Sequence, residues 1–142
     1  MGVKFKSFVN ETIKVGYLQV NVFRYILRMP LQGALARVSK LTIGGLYREK
    51  GYGAYIETKE SDENGSVKIF TLPVIQNEDA IYILSVQATG YHTAYVMGVP
   101  IYPGITTTYD IFLRHHTFIG SPDYEFLLQP HLPGHEHSPS IF

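Results

Sequence analysis

Five of the six histidines lie beyond residue 114: His115, His116, His131, His135 and His137. Imidazole ligates metals readily, and its ordinary titration falls near neutral pH. The stretch His131-Leu132-Pro133-Gly134-His135-Glu136-His137 adds a carboxylate to three imidazoles, a donor set suited to a divalent ion. Pro-Gly makes a turn without helical register, so the spacing imposes no coordination geometry. His131, His135 and His137 are therefore weak metal candidates, more simply read as solvated or packing histidines. Their protonation near pH ~6 would make this tail cationic and its packing pH-sensitive.

Nucleophilic chemistry has less to work with. The chain has no cysteine, which removes disulfides, zinc-thiolate sites and a thiol nucleophile. It has no Gly-x-Ser-x-Gly elbow, and scattered Ser, His and Asp do not make a triad, which is defined by geometry. No catalytic residue and no cofactor is assigned, and the chain is read as a non-enzyme. Tyr47, Tyr52 and Tyr55 sit in or beside a glycine-rich stretch and could stack on sugar rings. Covering a sheet edge is their plainer role.

The elements that must position these groups are strands. Leu18, Val20 and Val22 alternate with polar residues, and Ala34, Ala36 and Val38 repeat the spacing after Pro30 and Gly33. The glycines of 43–53 predict a loop or irregular edge, followed by a short strand over 54–58. Asp62-Glu63-Asn64-Gly65 is a turn, and 66–72 is a strand ended by Pro73. Further strands are expected over 81–88, 95–99 and 106–113, with turns at Gly90-Tyr91 and Pro103-Gly104. That makes seven short strands with turns every 8 to 12 residues, the spacing of a β-sandwich. The Ala- and Leu-rich 31–41 is read as strand rather than helix.

The residue order carries a resemblance. Gly16-x-Leu18-x-Val20-x-Val22 is followed by Pro30-Leu31-x-Gly33-Ala34-x-Ala36-x-Val38, Thr58, Asn64-Gly65, Leu72-Pro73, Val86-x-Ala88-x-Gly90-Tyr91, Pro103-Gly104-Ile105-Thr106 and Ile111-x-Leu113. Over residues 16–114 this resembles the carboxypeptidase-regulatory-like, prealbumin-like domain, including the version in the propeptide region of clostridial spore cortex-lytic enzymes. The resemblance implies an all-β, seven-stranded Greek-key β-sandwich at 16–114, with an N-terminal arm (1–15) and a C-terminal arm (115–142). It also implies a place at a cell or spore surface. The Tyr-Arg-Gly-Ser motif of the prealbumin-like purine-pathway hydrolases is missing. Some related surface domains crosslink a first-strand lysine to a last-strand asparagine. Lys14 and Asp110 are the residues to weigh here, and ordinary polar roles are the plainer reading. Tyr91 is expected either to cap a loop with its hydroxyl or to serve as a rim aromatic.

Both arms carry apolar residues, which solvated linkers lack. Val3, Phe5 and Phe8 stud the first, and Tyr124, Phe126, Leu128, Ile141 and Phe142 the second. A segment such as 123–128 could add to a sheet edge of its own domain or of a neighbouring subunit. With 12 basic and 12 acidic residues the net charge is zero, and charged residues are only 17%. Neutrality argues against nucleic acid or an anionic membrane held by bulk charge and favours self-association. No signal peptide or membrane span is visible, so the chain is expected to be a complete product that starts in the cytoplasm. The expected function is a non-enzymatic structural protein that assembles with itself through its arms. The alternative is a β-sandwich module binding a polysaccharide or a protein.

Overall fold

Alternating burial builds both sheets. In the computed structural model, which describes residues 13–45, 50–76, 79–116 and the backbone of 124–127, strand β1 (Val15–Arg24) buries Leu18, Val20 and Val22 completely. Its intervening residues stay half-exposed, as a pleated strand with one face on the core requires. The other strands are β2 (Leu35–Gly44), β3 (Lys50–Glu60), β4 (Phe70–Pro73), β5 (Ala80–Gln87), β6 (Thr93–Val99), β7 (Thr106–Leu113) and β8 (Tyr124–Leu127). The described residues contain no helix.

The strands form two sheets, in the orders β4-β1-β7 and β3-β2-β5-β6-β8. Phe70, Leu72 and Ile111 on one sheet and Val38, Tyr82, Leu84 and Val86 on the other fill the space between them. These are the branched and aromatic residues that pack well on pleated faces. β1 and β7 run parallel, with Tyr17 opposite Thr106 and Arg24 opposite Leu113. Their starts therefore share one pole of the sandwich and their ends the other. At the first pole the Tyr17 N–H donates to the Ile105 carbonyl and the Gly104 N–H to that of Val15. At the second, the Tyr25 N–H donates to the carbonyl of Leu113.

The Asp62–Gly65 turn forms as expected. The Asp62 carboxylate accepts the N–H groups of Asn64 and Ser66, both at 2.9 Å. Gly65 has φ of 76°, and its carbonyl accepts the Val22 N–H at 2.7 Å. A Cβ there would strike the Val22 carbonyl.

Two expectations need correction. Of the two readings of 43–53, a loop or an irregular edge, the described residues give an edge: Ile43 and Gly44 end β2, and Lys50–Gly53 begin β3. Gly51 and Gly53 are tolerated because β3 is an edge strand whose first seven residues are all exposed. The strand expected over 54–58 is accordingly the middle of an eleven-residue one. The strand expected over 66–72 shrinks to Phe70–Pro73, with Ser66 making only an isolated bridge to Asn21. Besides the seven strands expected of the sandwich, β8 forms within 123–128, the segment expected to add to an edge.

Candidate functional site

The chain leaves the three-stranded sheet at the end of β7 and crosses to the strand β6. Tyr91 bridges to His115; the His92 N–H donates to the Arg114 carbonyl at 2.8 Å, and the His116 N–H to that of Gly90 at 3.1 Å. Gly90 has φ of 88°, and the Tyr91 N–H closes this turn onto the Ala88 carbonyl. Two ring pairs hold the crossing: Tyr91 on His115 and His92 on His116, each with centroids 4.2 Å apart. His92 is buried, and its Nδ1 has no hydrogen-bond partner among the described residues. The Tyr91 ring packs on the core margin. Of the two roles considered for Tyr91, this is the rim aromatic.

Beyond this crossing, β8 pairs in parallel with β6, Thr93 opposite Tyr124 through Val96 opposite Leu127. The segment that carries Tyr124 and Phe126 thus does add to a sheet edge, and the edge belongs to its own chain. Only four residues of each strand pair. Val3, Phe5, Phe8, Leu128, Ile141 and Phe142 lie outside the described residues, as do Tyr47 and the metal candidates His131, His135 and His137. Among the described residues no three histidine or acidic side chains converge as metal ligands.

Of the three tyrosines, Tyr52 and Tyr55 lie among the described residues. Tyr52 lies opposite Thr42 and Tyr55 opposite Ser39, in a regular stretch of ladder. Three residues apart, they project from opposite faces of β3. Tyr55 carries the Arg37 guanidinium, 5.0 Å from its ring centroid. One sugar ring cannot rest on both tyrosines from one side.

The crosslink is also excluded by register. Asp110 lies opposite Asn21, whose amide donates to it at 3.0 Å. Lys14 precedes Asn21 by seven residues, about 23 Å along an extended strand. The inward positions of β1 and β7 are Leu18, Val20, Val22, Thr107, Tyr109, Ile111 and Leu113, so no lysine or carboxylate faces the core there.

Two open cavities of about 280 Å³ each flank the five-stranded sheet. One is lined by Gly33, Leu35, Gln87, Ala88, Thr89 and Thr93, without an ionisable side chain. The other, at the pole where β1 starts, includes Tyr82 and Tyr102 among apolar neighbours. Tyr82 donates to the Pro73 carbonyl at 2.6 Å, and burial raises its pKa. Tyr109, deeper in the core, is raised by burial and by the nearby Tyr102 phenol. Both phenols hold their protons at neutral pH, so neither serves as a base there.

The loop joining β1 to β2 gave no sign of function in the sequence. Residues 24–30 are all exposed, including Tyr25, Ile26 at 69%, Leu27 at 79% and Met29 at 48%. Leu27 and Arg28 both have positive φ, 69° and 51°, a region side chains other than Gly, Asn and Asp rarely enter. Arg28 covers the Phe112 ring and Arg114 the Tyr25 ring, at 4.4 and 4.2 Å. The available signal was an apolar run between a strand end and Pro30 without turn residues.

No protein-family model matches the chain, and no curated protein is similar to it. Solved structures resemble its fold. The hydroxyquinol 1,2-dioxygenase of Pseudomonas putida is 12% identical with a TM-score of 0.49, over 75% of this chain and 58% of its own. The C-terminal domain of the shaft pilin SpaA of Lactobacillus rhamnosus is 15% identical with a TM-score of 0.43, over 75% of this chain and 100% of that domain. The 3-chlorocatechol 1,2-dioxygenase of Rhodococcus opacus is 10% identical with a TM-score of 0.45, over 75% and 62%. The chain spans under two thirds of either dioxygenase. Likeness of this degree assigns it neither the dioxygenases' reaction nor the pilins' role.

Proposed function

We propose that this protein is a non-enzymatic structural subunit that assembles with copies of itself by strand addition at the β6 edge, at a cell or spore surface. The observation that carries the reading is β8. A four-residue strand from outside the seven-stranded sandwich closes an edge that would otherwise present unpaired N–H and C=O groups. Any copy of the segment makes the same backbone bonds, so exchange between subunits costs little beyond the entropy of association. Zero net charge leaves no long-range repulsion to oppose it. The parallel pairing of first and last sandwich strands and the repeated crossings between sheets support the finer reading of a prealbumin-like, Greek-key sandwich of carboxypeptidase-regulatory-like type.

Light scattering tests this. The full chain should form large particles, and a chain ending at His116 should not. A full chain that stays monomeric at high concentration overturns the proposal.

A further inference from the structure

The turn between β1 and β2 is built to hold apolar side chains in solvent. Tyr25, Ile26, Leu27 and Met29 are exposed, and Leu27 and Arg28 have positive φ. Backbone strain persists only where the surroundings enforce it, and it clusters at functional sites. Here the enforcement is visible: the Arg24 N–H donates to the Met29 carbonyl at 2.8 Å, and the Leu31 N–H to that of Val22 at 2.9 Å. Exposed apolar groups gathered in this way mark contacts with a protein or with a membrane.

Three features decide between the two. The first is shape. Ile26 and Leu27 form a narrow tip, for which a protein partner must offer a matching pocket, whereas the acyl boundary of a bilayer accepts any apolar projection. The second is charge. Arg24 and Arg28 are exposed and Arg114 is half-buried, and neither 24–30 nor 111–116 contains an acidic residue. Arg28 lies over the Phe112 ring and Arg114 over that of Tyr25. Stacking uses the face of the Arg28 guanidinium and leaves its N–H edge for phosphate oxygens. The acidic residues of this pole, Glu60, Asp62 and Glu63, belong to the end of β3 and the turn after it. Of these, Asp62 turns its carboxylate onto the N–H groups of Asn64 and Ser66. Zero net charge is no obstacle. Screening confines each charge to about 8 Å at physiological salt, so a lipid surface meets this pole and not the whole chain. The third feature is placement. Ile13 precedes β1 at the opposite pole, and β8, parallel to β6, runs toward that pole. The chain continues from both ends of the described residues on the far side, away from the turn.

We propose that the Tyr25–Met29 turn is a shallow anchor for an anionic lipid surface. Ile26 and Leu27 insert at the acyl boundary, Tyr25 sits at headgroup level, where tyrosine is favoured, and Arg24 and Arg28 meet the phosphates. Two apolar side chains and a few cations bind reversibly, so one turn is a weak anchor. Copies held side by side would multiply it, but a single subunit carries the whole site, and the inference does not rest on the self-assembly reading.

Flotation of the full chain with vesicles tests the anchor. The protein should rise with phosphatidylcholine vesicles that hold about a third phosphatidylserine, and at least about tenfold less with phosphatidylcholine alone. Binding should weaken as salt is raised. Leu27→Asn removes the apolar tip in favour of a side chain that tolerates positive φ. It should fold at least as stably in thermal unfolding and lose at least about tenfold in binding. Arg28→Asn, chosen for the same backbone reason, should lose about fivefold. Lys50→Gln makes the same charge change at the opposite pole, where Lys50 lies opposite Gly44, and should lose nothing. No flotation on the anionic vesicles, undiminished binding by Leu27→Asn, or equal losses in Arg28→Asn and Lys50→Gln each overturn the proposal. Light scattering separates the anchor from assembly. Leu27→Asn should form particles of wild-type size; smaller ones would put the turn in a contact between copies and overturn the lipid anchor. A full chain that floats but forms no particles keeps the anchor and sinks strand addition.

Discussion

Two buried phenols differ in one hydrogen bond. Tyr82 donates to the Pro73 carbonyl, whereas the Tyr109 hydroxyl is buried without a partner among the described residues. Removing a satisfied hydroxyl loses its bond, while removing an unsatisfied one relieves a desolvation cost. Tyr82→Phe should therefore lose about 1 kcal/mol of stability and Tyr109→Phe should gain up to about 1 kcal/mol in urea unfolding. Their titration follows the same burial. In the unfolded chain a tyrosine loses its proton near pH ~10, whereas the folded protein holds both protons to higher pH. Above that pH the unfolded state binds fewer protons than the folded one, so stability falls as pH rises. The contribution is fully present below pH ~10, and the decline above it should be shallower in Tyr109→Phe than in the wild type.

At the scale of elements, glycines with the same backbone angle differ in what surrounds them. Gly65 and Gly90 have φ of 76° and 88°, but only at Gly65 would a Cβ meet backbone, the Val22 carbonyl; at Gly90 it meets open space. Gly90→Ala should cost about 1 kcal/mol, the left-handed penalty alone. Gly65→Ala should cost about 3 kcal/mol or more, because β1 or the turn must also shift. Thermal unfolding of the pair checks the ranking. Gly65 could be read from Asn64-Gly65 because the turn chemistry is local. The inward faces of β1, β2, β5 and β7 were equally legible, since period two states them outright. The length of β3 was not. Its glycines argue for a loop, and only pairing with β2 outweighs them, a tertiary preference that the local sequence does not contain. The Tyr25–Met29 turn was hidden for the opposite reason: Leu27 and Arg28 adopt a conformation their side chains disfavour. Tyr52 and Tyr55 lie on opposite faces of β3 because three residues along a regular strand reverse the face.

For the whole molecule, the decisive question is which chain's β8 occupies the β6 edge. The register places Thr93 opposite Tyr124, and neighbouring strands lie about 4.8 Å apart, inside the separation a disulfide spans. A Thr93→Cys/Tyr124→Cys chain, again free of competing thiols, should oxidise in one of two ways. Oxidised while dilute, it should close within one chain, run on a non-reducing gel as a single monomer band, and lose its large particles, because the locked segment can no longer leave. Assembled first and oxidised afterwards, it should give a ladder of covalent multimers, each rung one exchanged strand. Reduction of the locked monomer should restore assembly, which separates the effect of the lock from that of the substitutions. A monomer band from assembled material, with particle size unchanged, would place the β8 contact within each subunit and overturn strand addition as the means of assembly. The bond matters because the proposed assembly would have no disulfide of its own. A cysteine-free chain must hold its neighbours by backbone pairing and apolar burial, each modest per contact and effective only when repeated along many subunits.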